Sequence, residues 1–414
     1  MQKTLPILGV TALGLGLPLA MAFAGTGGCN VYDTSLILPS TVPQGKGIGF
    51  WSGKVGKCDS AGVPRESDRP APTSDADLPP FYLALSTLDL GERGPDGKPS
   101  PNVWQAQGFD LDGVCTNSPT CNSGDSIPVS CKNPGTAIPF DGDYCRDNTF
   151  GRFAYQAAVV PEVAKKYGLN ADNFNCSLCI GSYNFIVRIS QYNGKATDAQ
   201  VRVDLYPSPG LESVLPWDCR SDDWKTHPCF TPDMPWKVQE DVLKGPRTGN
   251  ELPDSKIATL DAYVRNGYLI SALPNDTLFW FPGRNAIATA FPLRMQSSLF
   301  TGKLVRSQEG TWTVEDGMIA GRSKGTDIVK GFRQIGLCES DPSYSLISSF
   351  VNTNLDITAS GVVDPNIPCD SLSFGIGFTA KQAKPGKLEA VAPLEECKTP
   401  TPPGDAGAPD AASD

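Results

Sequence analysis

Apolar and polar residues alternate through much of the second half of the chain. Phe185, Val187 and Ile189 are spaced by more polar neighbours, and beyond Asn193-Gly194 the same spacing returns in Val201, Val203 and Leu205. A period of two sends successive side chains to opposite faces, which is the signature of a half-buried strand. Asn266-Gly267 separates Ala262–Val264 from Tyr268–Ile270, and Asp316-Gly317 separates Trp312–Val314 from Met318–Ala320. Three such turn dipeptides predict hairpins, and hairpins make an antiparallel sheet. Further strands are expected over 278–281, 293–305 and 372–378, interrupted by a short helix around Ile328, Val329 and Phe332 and another over 344–350.

The first part of the chain reads differently. Gly62 to Pro80 is polar and proline-rich and predicts a long loop. Short strands are expected at 81–85 and around Trp51, within Gly47–Gly53. From Phe150 the spacing becomes helical: Phe153, Ala157 and Ala158 share a face. A second helix is expected over 161–167, with Gly168 suiting its C-cap, and a third over 173–180. The fold class expected is mainly β: an antiparallel, jelly-roll-like β-sandwich with helical insertions, and a disulfide-rich, loop-rich N-terminal region packed on it or continuous with it. The expected segments are a signal peptide over 1–28, the cysteine-rich region over 29–148, the β domain over 149–398 and a disordered tail over 399–414.

Lys3 followed by an almost wholly apolar or small stretch to Ala24 is the pattern of an export signal. Two processing sites compete: Ala22-Phe23-Ala24 fits ordinary cleavage, while Thr26-Gly27-Gly28-Cys29 resembles a lipobox that would make Cys29 a lipidated first residue. If Cys29 takes lipid, twelve of the 13 cysteines remain: Cys58, Cys115, Cys121, Cys131, Cys145, Cys176, Cys179, Cys219, Cys229, Cys338, Cys369 and Cys397. An even set in an exported chain implies disulfides. Cys176 and Cys179 have zinc-like spacing, but the chain holds one histidine, His227, so bridges are expected there too. In the region of Cys115, Cys121, Cys131 and Cys145 cross-links are expected to stand in for a hydrophobic core. With a net charge of −10 and no basic run, the chain is a poor partner for nucleic acid. A lipid anchor is the only membrane attachment expected, to the outer membrane if the chain is not released outside the cell.

Three groups of residues carry candidate chemistry. Asp110, Asp112, Asp141, Asp143, Asp147 and Asn148 supply hard oxygen donors in two short loops, as calcium prefers, although neither loop completes an EF-hand. Trp217, Trp224 and Trp236 surround Cys219 and Cys229 beside several aspartates, an arrangement suited to sugar stacking. Gly321-Arg322-Ser323-Lys324-Gly325 fits G-x-S-x-G between a strand and a helix, but that hydrolase motif needs a histidine after the serine, and His227 precedes it. An ordinary polar turn is therefore expected at Ser323, and no catalytic residue is assigned.

The stretches Gly47–Gly53, Gly108–Thr116, Asp143–Asn148, Tyr192–Gly194 with Asp198, and Pro368–Phe378 resemble a group of uncharacterised envelope lipoproteins of Gram-negative bacteria. The resemblance covers most of the mature chain and implies export and a shared architecture, with no activity to carry over. The strand pairs around Asn193-Gly194 and Asp316-Gly317 also resemble concanavalin-like, laminin-G-type sandwiches. The function expected is a non-catalytic exported surface or binding protein, stabilised by calcium, with a carbohydrate or an envelope protein as partner. The alternative is a secreted hydrolase acting on polysaccharide or ester.

Overall fold

The computed structural model describes residues 53–121, 127–135, 140–159, 170–217, 219, 224–281, 291–334, 336–391 and 397. The expected signal segment, Cys29, the strand expected around Trp51, the helix expected over 161–167 and the tail from 399 lie outside them. The described residues all fall in one compact unit.

The protein is mainly β. Two short strands, β1 (Gly53–Val55) and β2 (Cys58–Ser60), form a hairpin of their own. The main sheet is built from β3 (Phe81–Asp89), β4 (Asn184–Ser190), β5 (Thr197–Ser208), β7 (Ala258–Arg265), β8 (Tyr268–Ala272), β9 (Thr277–Phe281), β10 (Phe291–Arg306), β11 (Trp312–Lys324) and β12 (Ser371–Gln382). Between β5 and β7 lies β6 (Pro235–Gln239), which pairs in parallel with β13 (Lys384–Glu389). Among the described residues, four α-helices interrupt the strands: α1 (Thr149–Val159), α2 (Ala171–Ile180), α3 (Gly325–Gln334) and α4 (Pro342–Thr353).

Every pairing in the main sheet is antiparallel. The long strand β10 pairs with β8 along one edge and β11 along the other, while its first residues hold β9. The ring β3-β4-β5-β7-β8-β10-β11-β12 therefore closes on itself, in chain order. The two layers of the expected sandwich are thus two sides of one continuous meander, a simpler connectivity than a jelly roll has, and closure leaves these eight strands without a free edge. The cysteine-rich region is continuous with this sheet, since β3 sits between β4 and β12.

Alternation along each strand builds the layers. Leu83, Leu85, Val187, Ile189, Val203, Leu205, Val264, Phe300, Ile319, Phe374 and Ile376 form one buried cluster, joined by Phe150 and Phe153 of α1, Phe174 and Leu178 of α2, Ile328 and Phe332 of α3, and Ile347 and Val351 of α4. The intervening residues face outward and are covered. Tyr263, Tyr268, Ile270, Leu299, Met318 and Ala320 lie under Ala61 and Phe109 of the N-terminal region, and Ala84, Ile186 and Tyr206 lie under Leu211, Phe230, Trp236, Val238 and Leu252.

Two of the three turn dipeptides make hairpins, Asn193-Gly194 between β4 and β5 and Asn266-Gly267 between β7 and β8. The third does not. Asp316-Gly317 is a bulge inside β11, where the register against β12 slips between Val314 and Gly317 and Asp316 takes φ 47°. A Cβ at Gly317 would lie 2.6 Å from the Phe378 ring, so glycine is needed there for close approach rather than for chain reversal. The true reversal before β11 is Ser307–Thr311, where the Ser307 N–H donates to the Thr311 carbonyl at 2.8 Å.

All twelve cysteines pair: Cys58–Cys121, Cys115–Cys145, Cys131–Cys369, Cys176–Cys219, Cys179–Cys229 and Cys338–Cys397. Cys176 and Cys179, one turn apart on α2, each tie down a different point of the loop after β5. Cys131–Cys369 spans 238 residues and fastens the approach to β12 against the N-terminal region.

Candidate functional site: a buried carboxylate cluster

The N-terminal region folds so that distant aspartates meet. The backbone around Asp110 is bridged to Gly62, and Phe109 is bridged to Asp147, which lies two residues before α1. Within the loop after Phe109, the Asp110 carboxylate accepts from the Gly113 N–H at 2.7 Å, and Gly113 takes φ 74°, which glycine adopts without strain. That tight turn brings Asp110 and Asp112 to one side. Asp147 accepts from the Leu111 N–H at 2.6 Å and from the Asp112 N–H at 3.3 Å, so the same loop carries two of the acids and holds the third.

One carboxylate oxygen from each of Asp110, Asp112 and Asp147 lies within 4.8 Å of the others. Oxygens bound to one calcium ion at about 2.5 Å sit at most about 5 Å apart, so the spacing suits a shared cation of that size. Asp110 and Asp147 are buried and Asp112 is half-buried. Ser60 donates to Asp110, which leaves the cluster anchored on β2 as well.

Two further acids surround this core. Asp141 is buried and accepts from the Thr116 N–H at 2.6 Å. Asp356, from the segment before β12, accepts from the Thr149 hydroxyl at 2.8 Å, from the Ser373 N–H at 2.9 Å and from the Ser373 hydroxyl. The five carboxylates feel one another. Burial pushes Asp147 and Asp141 well above the usual carboxylate range, and the other acids of the cluster add to the effect in both. Burial also lifts Asp110 to about 7 and Asp356 to about 6, in each case with the Asp112 charge adding to the rise. Asp112 is raised by burial too, with the Arg322 guanidinium acting the other way. Arg322 leaves β11 toward this loop and donates to the Leu111 carbonyl at 2.6 Å.

Two residues expected as ligands lie elsewhere. Asn148 is the cap of α1: its Oδ1 accepts from Gly151 N–H at 3.0 Å and Gly375 N–H at 2.8 Å, and its amide donates to the Trp104 carbonyl at 3.1 Å. Both lone pairs of that oxygen are used, so it has none to offer a metal. Asp143 is half-buried, its raised proton affinity comes from burial, and the charge it feels is Arg146. Asp356 is the member that sequence reasoning missed. Its partner Ser373 lies inside the Pro368–Phe378 stretch, yet nothing in spacing links it to Asp110.

The tryptophans do not form one platform. Trp236 is wholly buried, with its ring against Phe230 edge-on at 4.9 Å, because β6 lays its apolar side on β4 and β5. Trp217 and Trp224 are half-exposed. Trp217 stacks on His227 at 5.1 Å, and Lys225 sits over the Trp224 ring at 5.6 Å. Ser323 lies in β11 rather than in a turn, points into the closed sheet and is fully buried, with no hydrogen-bond partner for its hydroxyl among the described residues.

Compared with family models, curated proteins and solved structures, the chain matches none.

Proposed function

We propose that this chain is an exported envelope protein whose folded part is a non-catalytic binding module built around a divalent cation of the calcium type. The observation that carries this reading is charge. Five carboxylates share a largely buried region, where the Arg322 guanidinium acts against the charge of Asp112. Such a concentration of negative charge is costly out of water and calls for protons or a cation in compensation. Asp110, Asp112 and Asp147 would hold the ion through hard oxygens, with Asp141 and Asp356 adding to the field. The six disulfides support an oxidising compartment. Lipidation at Cys29, or cleavage after Ala24, and the resemblance to envelope lipoproteins agree with that placement. Trp217 and Trp224, on the loop that Cys219 and Cys229 tie to α2, remain the surface suited to a carbohydrate or envelope-protein partner.

Calcium titrated into chelator-treated protein tests this directly. Bound at about 100 times Kd, one ion adds about 2.7 kcal/mol to stability, so the midpoint of thermal unfolding rises. In Asp147→Asn the rise disappears. An unchanged midpoint in the parent protein sinks the proposal.

A hydrolase is the second reading, and the raised Asp110 and Asp356 favour it, since a carboxyl that keeps its proton near neutrality suits general acid catalysis. Polysaccharide hydrolysis that survives chelation and is lost in Asp110→Asn would establish it over the first.

A further inference from the structure

Beside the carboxylates sits a cation that belongs to the chain itself. Arg322 shares the outward face of β11 with Met318 and Ala320, which lie under the N-terminal region, and it is 6 % exposed. Its register partner on β12 is Ser373, the residue that holds Asp356 by two hydrogen bonds. Paired residues of neighbouring strands share a face, so the arginine stem and Ser373 stand side by side. The far end of the side chain reaches two loops. Nη2 donates at 2.6 Å to the carbonyl of Leu111, which stands between Asp110 and Asp112 in the chain. Nη1 lies where a Cβ on Gly361 would come within 2.6 Å of it, and Gly361 takes φ 76°, so a side chain there would strain the backbone and displace the guanidinium. Arg322 thus touches both the loop that carries Asp110 and Asp112 and the segment that follows Asp356.

The guanidinium is not spent on the carboxylates. Beside acids an arginine ordinarily forms a bidentate pair with one of them. Here Nη2 is given to a backbone carbonyl, and Nε is buried without an acceptor among the described residues. One oxygen from each of Asp110, Asp112 and Asp147 meanwhile stays within 4.8 Å of the other two. Like charges gathered on one another, next to a guanidinium that pairs with none of them, leave room for a second positive charge among them. A fixed unit charge opposes each incoming ion in proportion to the charge of that ion, so it costs a trivalent ion half as much again as a divalent one.

On the cation reading of this cluster, we propose that Arg322 is the specificity-determining residue of the site, a tethered positive charge that supports the empty site and discriminates against ions of higher charge. At a separation of about 10 Å and an effective dielectric constant of about 20, one such charge weakens a divalent ion by more than about tenfold.

The test uses the whole chain, stripped with chelator, with calcium and terbium titrated separately by calorimetry. Arg322→Gln should bind calcium about tenfold tighter or more, and terbium about thirtyfold tighter or more, because the two gains scale with ionic charge. A purely structural prop predicts the reverse, since freeing the Leu111 carbonyl loosens the loop and weakens both ions alike. Arg322→Lys keeps the charge and loses the fork, so its terbium-to-calcium affinity ratio should stay within about threefold of the parent value. Lys237→Gln, on β6, should change neither affinity. The parent supplies a comparison that does not depend on any variant folding: terbium should bind at most about tenfold tighter than calcium, and a larger preference overturns the proposal. A parent that binds calcium while Arg322→Gln binds both ions equally or less well also overturns it and leaves the cation site standing. A parent that binds neither ion overturns the site and this role together.

Discussion

Replacing Asp110 with asparagine should stabilise the metal-free protein at alkaline pH, the reverse of what removing a ligand does to the loaded one. Asp110 is buried, and in the folded chain its proton affinity corresponds to a pKa of about 7. An unfolded aspartate titrates near 3.9. The folded state therefore holds this proton more tightly than the unfolded one. Stability from this group is full below about pH 4, declines as pH rises through the folded value, and is gone above about pH 8. The difference of about three units corresponds to roughly 4 kcal/mol. Asparagine cannot ionise, so it escapes the loss, while one of the bonds from Ser60 and Gly113 loses its acceptor, at about 1 kcal/mol. On the order of 3 kcal/mol should remain in favour of Asp110→Asn at pH 8 without metal.

Urea unfolding of both proteins in chelator, from pH 4 to pH 8.5, measures that difference. The two curves should converge toward pH 4 and separate steadily above it. With calcium present the order reverses, because the parent gains the binding energy of the ion and the variant, short of one charged ligand, gains less. Protons and the ion compete for the same oxygens, so calcium should bind more weakly at pH 5 than at pH 8. A variant less stable than the parent in chelator at pH 8, or a difference that does not change with pH, would refute the argument that Asp110 is ionised at a cost.

Other substitutions separate packing from chemistry. Ser323→Ala should keep any hydrolytic activity the chain has and raise the calorimetric midpoint slightly, since it removes a buried hydroxyl without a partner. Trp236→Ala should cost about 3–5 kcal/mol in urea unfolding, because a wholly buried ring leaves a cavity, whereas Trp217→Ala, half-exposed, should stay within about 1 kcal/mol. Replacing Cys131 and Cys369 together by alanine opens a 238-residue loop, and chain entropy puts the loss at about 5 kcal/mol in the same assay.

Strands were legible where one face is buried and the other less so. Alternation in 185–189 and 201–205 marked β4 and β5, and Asn-Gly marked the hairpin between them, because backbone φ at that point restricts the residue type. The same logic misread Asp316-Gly317. A bulge and a tight turn both ask for a small residue at a left-handed neighbour, and only the continuation of pairing on both sides of β11 distinguishes them. Closure of the sheet was also out of reach, since it depends on β10 being long enough to serve β9, β8 and β11 together, which is a property of register and not of composition. Disulfides were legible as a set and not as pairs, because each pairing depends on which loops and helices the fold brings together, as where α2 meets the loop after β5.

The carboxylate cluster was half legible for a related reason. Asp110, Asp112, Asp141 and Asp147 lie within one cross-linked region, and their spacing already suggested convergence. Asp356 lies more than two hundred residues further on and arrives by a different route. Cys131–Cys369, together with the bridge between Lys132 and Pro368, fastens the approach to β12 onto the N-terminal region, and Ser373 on β12 then holds Asp356 by two hydrogen bonds. The cluster therefore joins three separate stretches of chain through like charges, an arrangement that electrostatics alone would drive apart. Covalent bridges and short hydrogen bonds oppose that repulsion in the metal-free protein. A cation would convert the same repulsion into attraction at the junction, which makes the cluster the place where ion binding would be felt across the whole N-terminal region.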